Sequence, residues 1–176
     1  LSGALFAQGN DLPDPFQPAV RNWGTLPDNR VWGSTAGVEI GPKGEIWAIE
    51  RCGANSCDGS DLPSVHMLDL TTGKPVKSIG QGLFVFPHGL HVDRDGNVWV
   101  TDNIGKDGKG HQVFKFSPDG KLMMTLGQAG VPGSDAGHFT SPSSIAIAAN
   151  GDVFIADGHE VNGNNRVVKL SKDGKF

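Results

Sequence analysis

Apolar and polar residues alternate in short runs, and the runs come back at a regular distance. From Gly37 to Glu50 the chain reads as an alternating strand, a tight turn at Pro42-Lys43-Gly44, and a second strand, Ile46-Trp47-Ala48-Ile49-Glu50. The same pattern recurs from Gly89 to Asp102 and again from Ser144 to Asp157. Its turn glycines, Gly44, Gly96 and Gly151, lie 52 and 55 residues apart. Each unit then passes through a variable polar loop into a second hairpin. The three copies are Val65 to Leu70 turning at Thr71-Thr72-Gly73, Val113 to Phe116 turning at Ser117-Pro118-Asp119-Gly120, and Val167 to Leu170 turning at Ser171-Lys172-Asp173-Gly174. No window shows the stripe of an amphipathic helix.

Each unit is therefore expected to hold four short antiparallel strands. One large apolar residue stands at the same place in each, Trp47, Trp99 and Phe154, which suits sheets stacked face to face. Four-stranded units repeated at roughly 40 to 50 residues are the blades of a β-propeller. Insertions between the second and third strands account for the slightly long period. The predicted organisation is all-β, with a lead-in over 1–33 containing Pro13, Pro15, Pro18 and Pro27, and a partial propeller over 34–176. Its blades span 34–80, 86–127 and 139–176. Propeller rings close with roughly four to eight blades, so three copies predict a chain that is part of a longer one.

Composition narrows the class. Gly makes up 26 of 176 residues but follows no Gly-X-Y period, and the stretches between glycines are rich in Val, Ile, Leu, Phe and Trp, which excludes collagen and argues against disorder. Lys plus Arg is 15 against Asp plus Glu 19, a net charge of −4 with the signs mixed. No basic stripe is present to meet a phosphate backbone, so a nucleic-acid partner is not expected. No apolar run reaches the roughly 20 residues of a membrane span. Leu1 to Ala7 reads either as the tail of a signal peptide cleaved after Ala7 or as a frayed terminus. The two cysteines, Cys52 and Cys57, bracket Gly53-Ala54-Asn55-Ser56. A disulfide pinning this small loop fits an oxidising compartment, secreted or periplasmic, and two free thiols are the alternative.

In an up-and-down blade the start of the first strand and the end of the second share one rim. On that rim the sequence places His88, Arg51, Asp102 and His159, together with the insertions 51–64, 103–111 and 158–165. Loops on a rigid scaffold collect binding groups, and the channel mouth is the natural pocket. His88, between Pro87 and Gly89, is either a metal-ligating imidazole or a rim histidine bonded to a loop. Its equivalents, Ala36 and Ser143, ligate nothing. Arg51 follows a strand directly; it either clamps a carboxylate or oxyanion, or pairs with Glu50 or a nearby Asp. Asp102, Asp157 and Glu50 end equivalent strands, and a residue repeated in every unit suggests turn hydrogen bonds. His91 is expected to bond within its surroundings, and His66 and His138 to lie on the surface or in loops.

At Phe139-Thr140-Ser141-Pro142-Ser143-Ser144-Ile145-Ala146-Ile147 and Asn165-Arg166-Val167-Val168-Lys169-Leu170 the chain resembles the NHL-repeat propellers. Within them it is similar to the peptidyl-α-hydroxyglycine α-amidating lyases, through Phe86-Pro87-His88-Gly89-Leu90, Trp99-Val100-Thr101-Asp102, His111-Gln112-Val113-Phe114-Lys115 and Asp157-Gly158. The resemblance implies a six-bladed ring and a lyase that cleaves the carbon–nitrogen bond of peptidyl-α-hydroxyglycine into peptide amide and glyoxylate. It implies that His88 is one of three histidines on a catalytic zinc and that Arg51 is the active-site arginine. It further implies that the carbonyls of Val38 and Leu90 help bind a structural calcium. The family carries a tyrosine after the Asp-Gly pair of the third blade. This chain contains no tyrosine, and His159 stands there, either as a base, as an extra metal ligand, or as the mark of a lost ancestral reaction. The expected partner is a peptide or small-molecule substrate. Two other functions fit the same scaffold: a lactonase-like metal hydrolase, and a non-enzymatic propeller binding peptide or protein at its loop face. Open blade flanks further predict self-association of the isolated chain.

Overall fold

A computed structural model describes residues 23–176. The expected readings of the signal-peptide remnant at 1–7 and of the lead-in up to residue 22 lie outside the described residues. The described residues form eleven strands and one short 3-10 turn, Pro27–Asn29. The first sheet is β1 (Thr35–Ile40), β2 (Ile46–Glu50), β3 (Val65–Leu68) and β4 (Pro75–Ile79), hydrogen-bonded in that order. The second repeats it with β5 (Pro87–Val92), β6 (Val98–Asp102), β7 (Gln112–Phe116) and β8 (Leu122–Leu126). The third holds β9 (Pro142–Ile147), β10 (Val153–Asp157) and β11 (Arg166–Leu170). Four strands were expected in every unit; the third has three among the described residues. Every pairing is antiparallel. The chain has the β-propeller fold.

The repeated glycines build the first hairpins. Gly44, Gly96 and Gly151 have φ of 81°, 81° and 90°, a region where a side chain is strained. Each donates its N–H to the carbonyl three residues back, Gly41, Asp93 and Ala148. The turn is the same in all three blades because the backbone demand is the same.

Two cores lie between the three sheets. Trp47, Ile49, Val65, Phe84, Val100 and Phe114 fill the space between the first and second. Trp99, Val113, Ile145, Ile155 and Val168 fill that between the second and third. Because β6 is covered on both faces, all five of its residues are buried, although its sequence includes Thr101 and Asp102. In β10 burial alternates, because only one face meets another sheet. Strand pairing then sets the rim: Thr35 lies opposite Glu50, Pro87 opposite Asp102, and Pro142 opposite Asp157. The innermost strands thus begin where the second strands end.

Candidate active site at the loop rim

Three equivalent carboxylates lock this rim. Asp102 accepts from the backbone N–H of Val85 and Phe86, and Asp157 accepts from those of Thr140 and Ser141. Glu50 accepts from Gly33 and from Gly53. Each carboxylate therefore ties the end of a second strand to the segment entering the first, as their repetition suggested. Their surroundings differ. Glu50 pairs with Arg30 at 3.5 Å and with His66 at 3.4 Å; burial pushes its carboxyl up, but the bonds from His66, Gly53 and Gly33 outweigh this and hold it below its ordinary value. Asp157 pairs with Arg166 at 3.1 Å. Asp102, fully buried, faces Gln112 in the strand register instead of an arginine. Burial raises it to about 7, against the lowering effect of Val85, Phe86 and Lys109.

Fixed by this lock, Phe86, Pro87 and His88 meet Arg51. The guanidinium lies 3.5 Å from the centre of the Phe86 ring, its Nε donates to the Pro87 carbonyl at 3.3 Å, and its Nη1 donates to Asn55 Oδ1 at 2.7 Å. Burial lowers its pKa from an ordinary value so high that it stays charged. The expected alternative, a salt bridge to Glu50, is not made; Glu50 points instead to Arg30 and His66.

His88 donates from Nδ1 to the Ser143 carbonyl at 2.9 Å on the neighbouring blade. A carbonyl only accepts, so this contact assigns the proton to Nδ1 and leaves Nε2 with a lone pair. Burial lowers the His88 pKa; the Ser143 bond opposes this, and the charges of His159 and Arg51 add to it. The ring of His159 stands 4.5 Å from that of His88, inclined by 55°. Arg51, His88 and His159, from three different blades, are thus gathered at one rim. A neutral imidazole with its other nitrogen fixed by a carbonyl is the donor a zinc ion prefers. The described residues contain no group of three or more His, Cys, Asp or Glu side chains arranged to hold a metal. They fit zinc as contributors of one or two imidazoles.

Val38 and Leu90 occupy equivalent register places on the innermost strands, opposite Ala48 and Val100. The Val38 side chain is exposed and that of Leu90 buried. Cys52 and Cys57 form a disulfide, which replaces the free-thiol alternative. His91 bonds Glu39 at 3.3 Å, and His138, in a loop, bonds Asp135 and Gln128. His66 corrects the sequence reading. It was expected on the surface, yet it is fully buried in β3, bonded to Ser78 Oγ at 2.8 Å. Its place between Val65 and Met67 inside an apolar strand was the available signal. Phe86 and Asn55, both in contact with Arg51, were not singled out by sequence either. A cleft of about 650 Å³ opens on the opposite rim beside Asp93, Trp99, Lys115 and Lys172. It holds none of the three converging residues.

Residues 139–170 match the family model for the NHL repeat. The chain is 32% identical over 178 residues to peptidyl-alpha-hydroxyglycine alpha-amidating lyase 2 of Drosophila melanogaster, covering 92% of this chain and 41% of that one. It is 31% identical over 189 residues to a probable amidating lyase of Caenorhabditis elegans, covering 99% and 49%. Against lyase 1 of the fly, identity rises to 45% over 116 residues, covering 64% and 20%. The chain thus spans less than half the length of these relatives. Among solved structures, Kuenenia stuttgartiensis hydrazine synthase superposes with TM-score 0.54 at 14% identity, covering 78% of this chain and 34% of that one. A protein of unknown function from Bacteroides thetaiotaomicron gives 0.52 at 19%, covering 72% and 32%. At such identities these two structures speak for the fold alone. The chain has the β-propeller fold, carries an NHL repeat at residues 139–170, and is similar in sequence to the peptidyl-α-hydroxyglycine α-amidating lyases.

Proposed function

We propose that this chain supplies part of the active site of a lyase that converts peptidyl-α-hydroxyglycine into a peptide amide and glyoxylate. The observation that carries the reading is the convergence of the Arg51 guanidinium with the His88 and His159 imidazoles on one locked rim. The substrate bears a carboxylate on the carbon that carries the hydroxyl. Arg51, charged and held over the Phe86 ring, binds that carboxylate and aligns the hydroxyl beside the imidazoles. His88 offers Nε2 to a zinc ion, whose Lewis acidity would make the hydroxyl easier to deprotonate. His159, where the family has tyrosine, takes the hydroxyl proton. The oxygen's electron pair forms the aldehyde of glyoxylate, the carbon–nitrogen bond breaks with its pair on nitrogen, and the same proton is returned to that nitrogen. No atom is gained or lost. Val38 and Leu90 are proposed as backbone ligands of a structural calcium, completed by a carboxylate outside the described set. The Cys52–Cys57 disulfide supports an oxidising compartment, secreted or periplasmic.

The test is glyoxylate release from an α-hydroxyglycine-terminated peptide by the complete protein, with metal content measured alongside. Glyoxylate and amide in equal amounts are expected, with kcat/KM at least tenfold lower in Arg51→Ala and kcat lowered in His159→Phe. Zinc bound without glyoxylate release would reject the lyase.

A further inference from the structure

We propose that the disulfide-closed loop Cys52–Cys57 is a clamp, and that Asn55 at its tip is a positioning residue that sets the direction of the Arg51 guanidinium. The inference rests on Arg51 being the anion-binding group described above.

The loop leaves β2 immediately after Arg51 and turns back at once, with Cys52 at φ 52° and Gly53 at φ 75°. This reversal brings Asn55 Oδ1 to within 2.7 Å of Arg51 Nη1, four residues earlier in the chain. Arg51 Nε is already spent on the Pro87 carbonyl, so two fixed points in the guanidinium plane define the orientation of the fork. Among the described residues no partner takes Nη2, the nitrogen left for a ligand oxygen. An arginine on a flexible stem would otherwise sample many directions.

The loop itself is held from both sides. The Ser34 N–H donates to the Ala54 carbonyl at 2.7 Å, and the Gly53 N–H donates to Glu50 Oε2 at 2.7 Å. A Cβ at Gly33 would stand 2.6 Å from the Ala54 oxygen, so glycine is what lets the loop seat there. On the other side the Cys57 N–H and the Ser56 hydroxyl both donate to the Val85 carbonyl, at 2.9 and 3.1 Å. Val85 precedes Phe86, Pro87 and His88, so the loop is tied to the segment that carries the imidazole. The disulfide closes this arrangement with Cys57 buried and Asn55 exposed, which puts a small polar tip beside the rim without building it into the core.

The experiment uses the complete protein. N-acetylglycine, whose carboxylate stands in for that of the substrate, is titrated by calorimetry, and kcat and KM are measured separately. Asn55→Leu should weaken N-acetylglycine binding and raise KM about tenfold, leaving kcat within about twofold, because one charge-assisted hydrogen bond is lost. Asn55→Gln, which keeps a neutral amide oxygen, should recover part of both. The double variant Cys52→Ala, Cys57→Ala should follow Asn55→Leu while still unfolding cooperatively. Arg51→Ala is the reference. If it abolishes N-acetylglycine binding and Asn55→Leu binds like the parent protein, the clamp is overturned and the reading of Arg51 stands. If Arg51→Ala also binds like the parent, both are overturned.

Discussion

Among the described residues Asp102 is a buried carboxylate that makes no ion pair, with only the more distant charge of Lys109 acting on it, while its two equivalents, Glu50 and Asp157, each pair with an arginine. Against Asp157 the difference traces to one position, Gln112 lying opposite Asp102 where Arg166 lies opposite Asp157, whereas the arginine of Glu50, Arg30, arrives from ahead of β1. Burial raises the folded pKa of Asp102 to about 7, above the ordinary carboxylate value of 3.8. The folded protein therefore holds a proton that the unfolded chain releases between pH 4 and 7. Through that window the group's contribution to stability falls as pH rises. Asp102→Asn, which keeps an oxygen for Val85 and Phe86, should flatten this dependence and unfold at higher urea than the parent at pH 8. Urea midpoints measured from pH 4 to 8 check it; identical slopes for the two proteins would contradict the assignment. His88 is shifted in the opposite sense, chiefly by burial, and is neutral near pH 7, the state in which an imidazole offers a lone pair.

Matching strands in different blades are not interchangeable. Trp47 and Trp99 occupy the same place in β2 and β6, and both are buried. Trp99 Nε1 donates to Asp93 Oδ2 at 3.0 Å, whereas Trp47 Nε1 is buried with no hydrogen-bond partner among the described residues. Gly41 stands where the second blade has Asp93, so the first blade has no acceptor to offer. Replacing each by Phe removes a similar volume, but only Trp99→Phe also takes a donor from a buried carboxylate. Trp99→Phe should therefore cost about 1–3 kcal/mol more than Trp47→Phe, read as the difference in urea-unfolding free energy. Equal losses would mean that the Asp93 contact contributes nothing. The strands themselves were legible because alternation and turn glycines are local demands. His66 was misread because a histidine in a strand reports its polarity locally, while its burial depends on Arg30, Glu50 and Ser78 arriving from elsewhere.

Across the whole molecule the central sheet is covered on both faces by its neighbours; the outer face of the first sheet is partly covered by the segment 23–32, through Arg30 and Trp32 on His66, and the third sheet meets another sheet on one face. The outward faces carry Val38, 67% exposed, and Val167, 71% exposed, with Phe154 only partly covered. Apolar faces of this kind associate when nothing covers them. The 176-residue chain expressed alone should self-associate in sedimentation velocity at micromolar concentration, and Val38→Lys with Val167→Lys should shift it toward monomer. A stable monomer at all concentrations would contradict this. The sequence by itself determined the blades, their turns and the rim to which Arg51, His88 and His159 belong, because strand period and glycine backbone freedom act over a few residues. Only the tertiary structure decided that Arg51 lies over Phe86 and bonds Asn55, that His88 donates a hydrogen bond to the Ser143 carbonyl, and that Asp102 makes no ion pair among the described residues. Those outcomes depend on side chains from different blades meeting at a few ångströms, a distance set by sheet packing that no local pattern encodes.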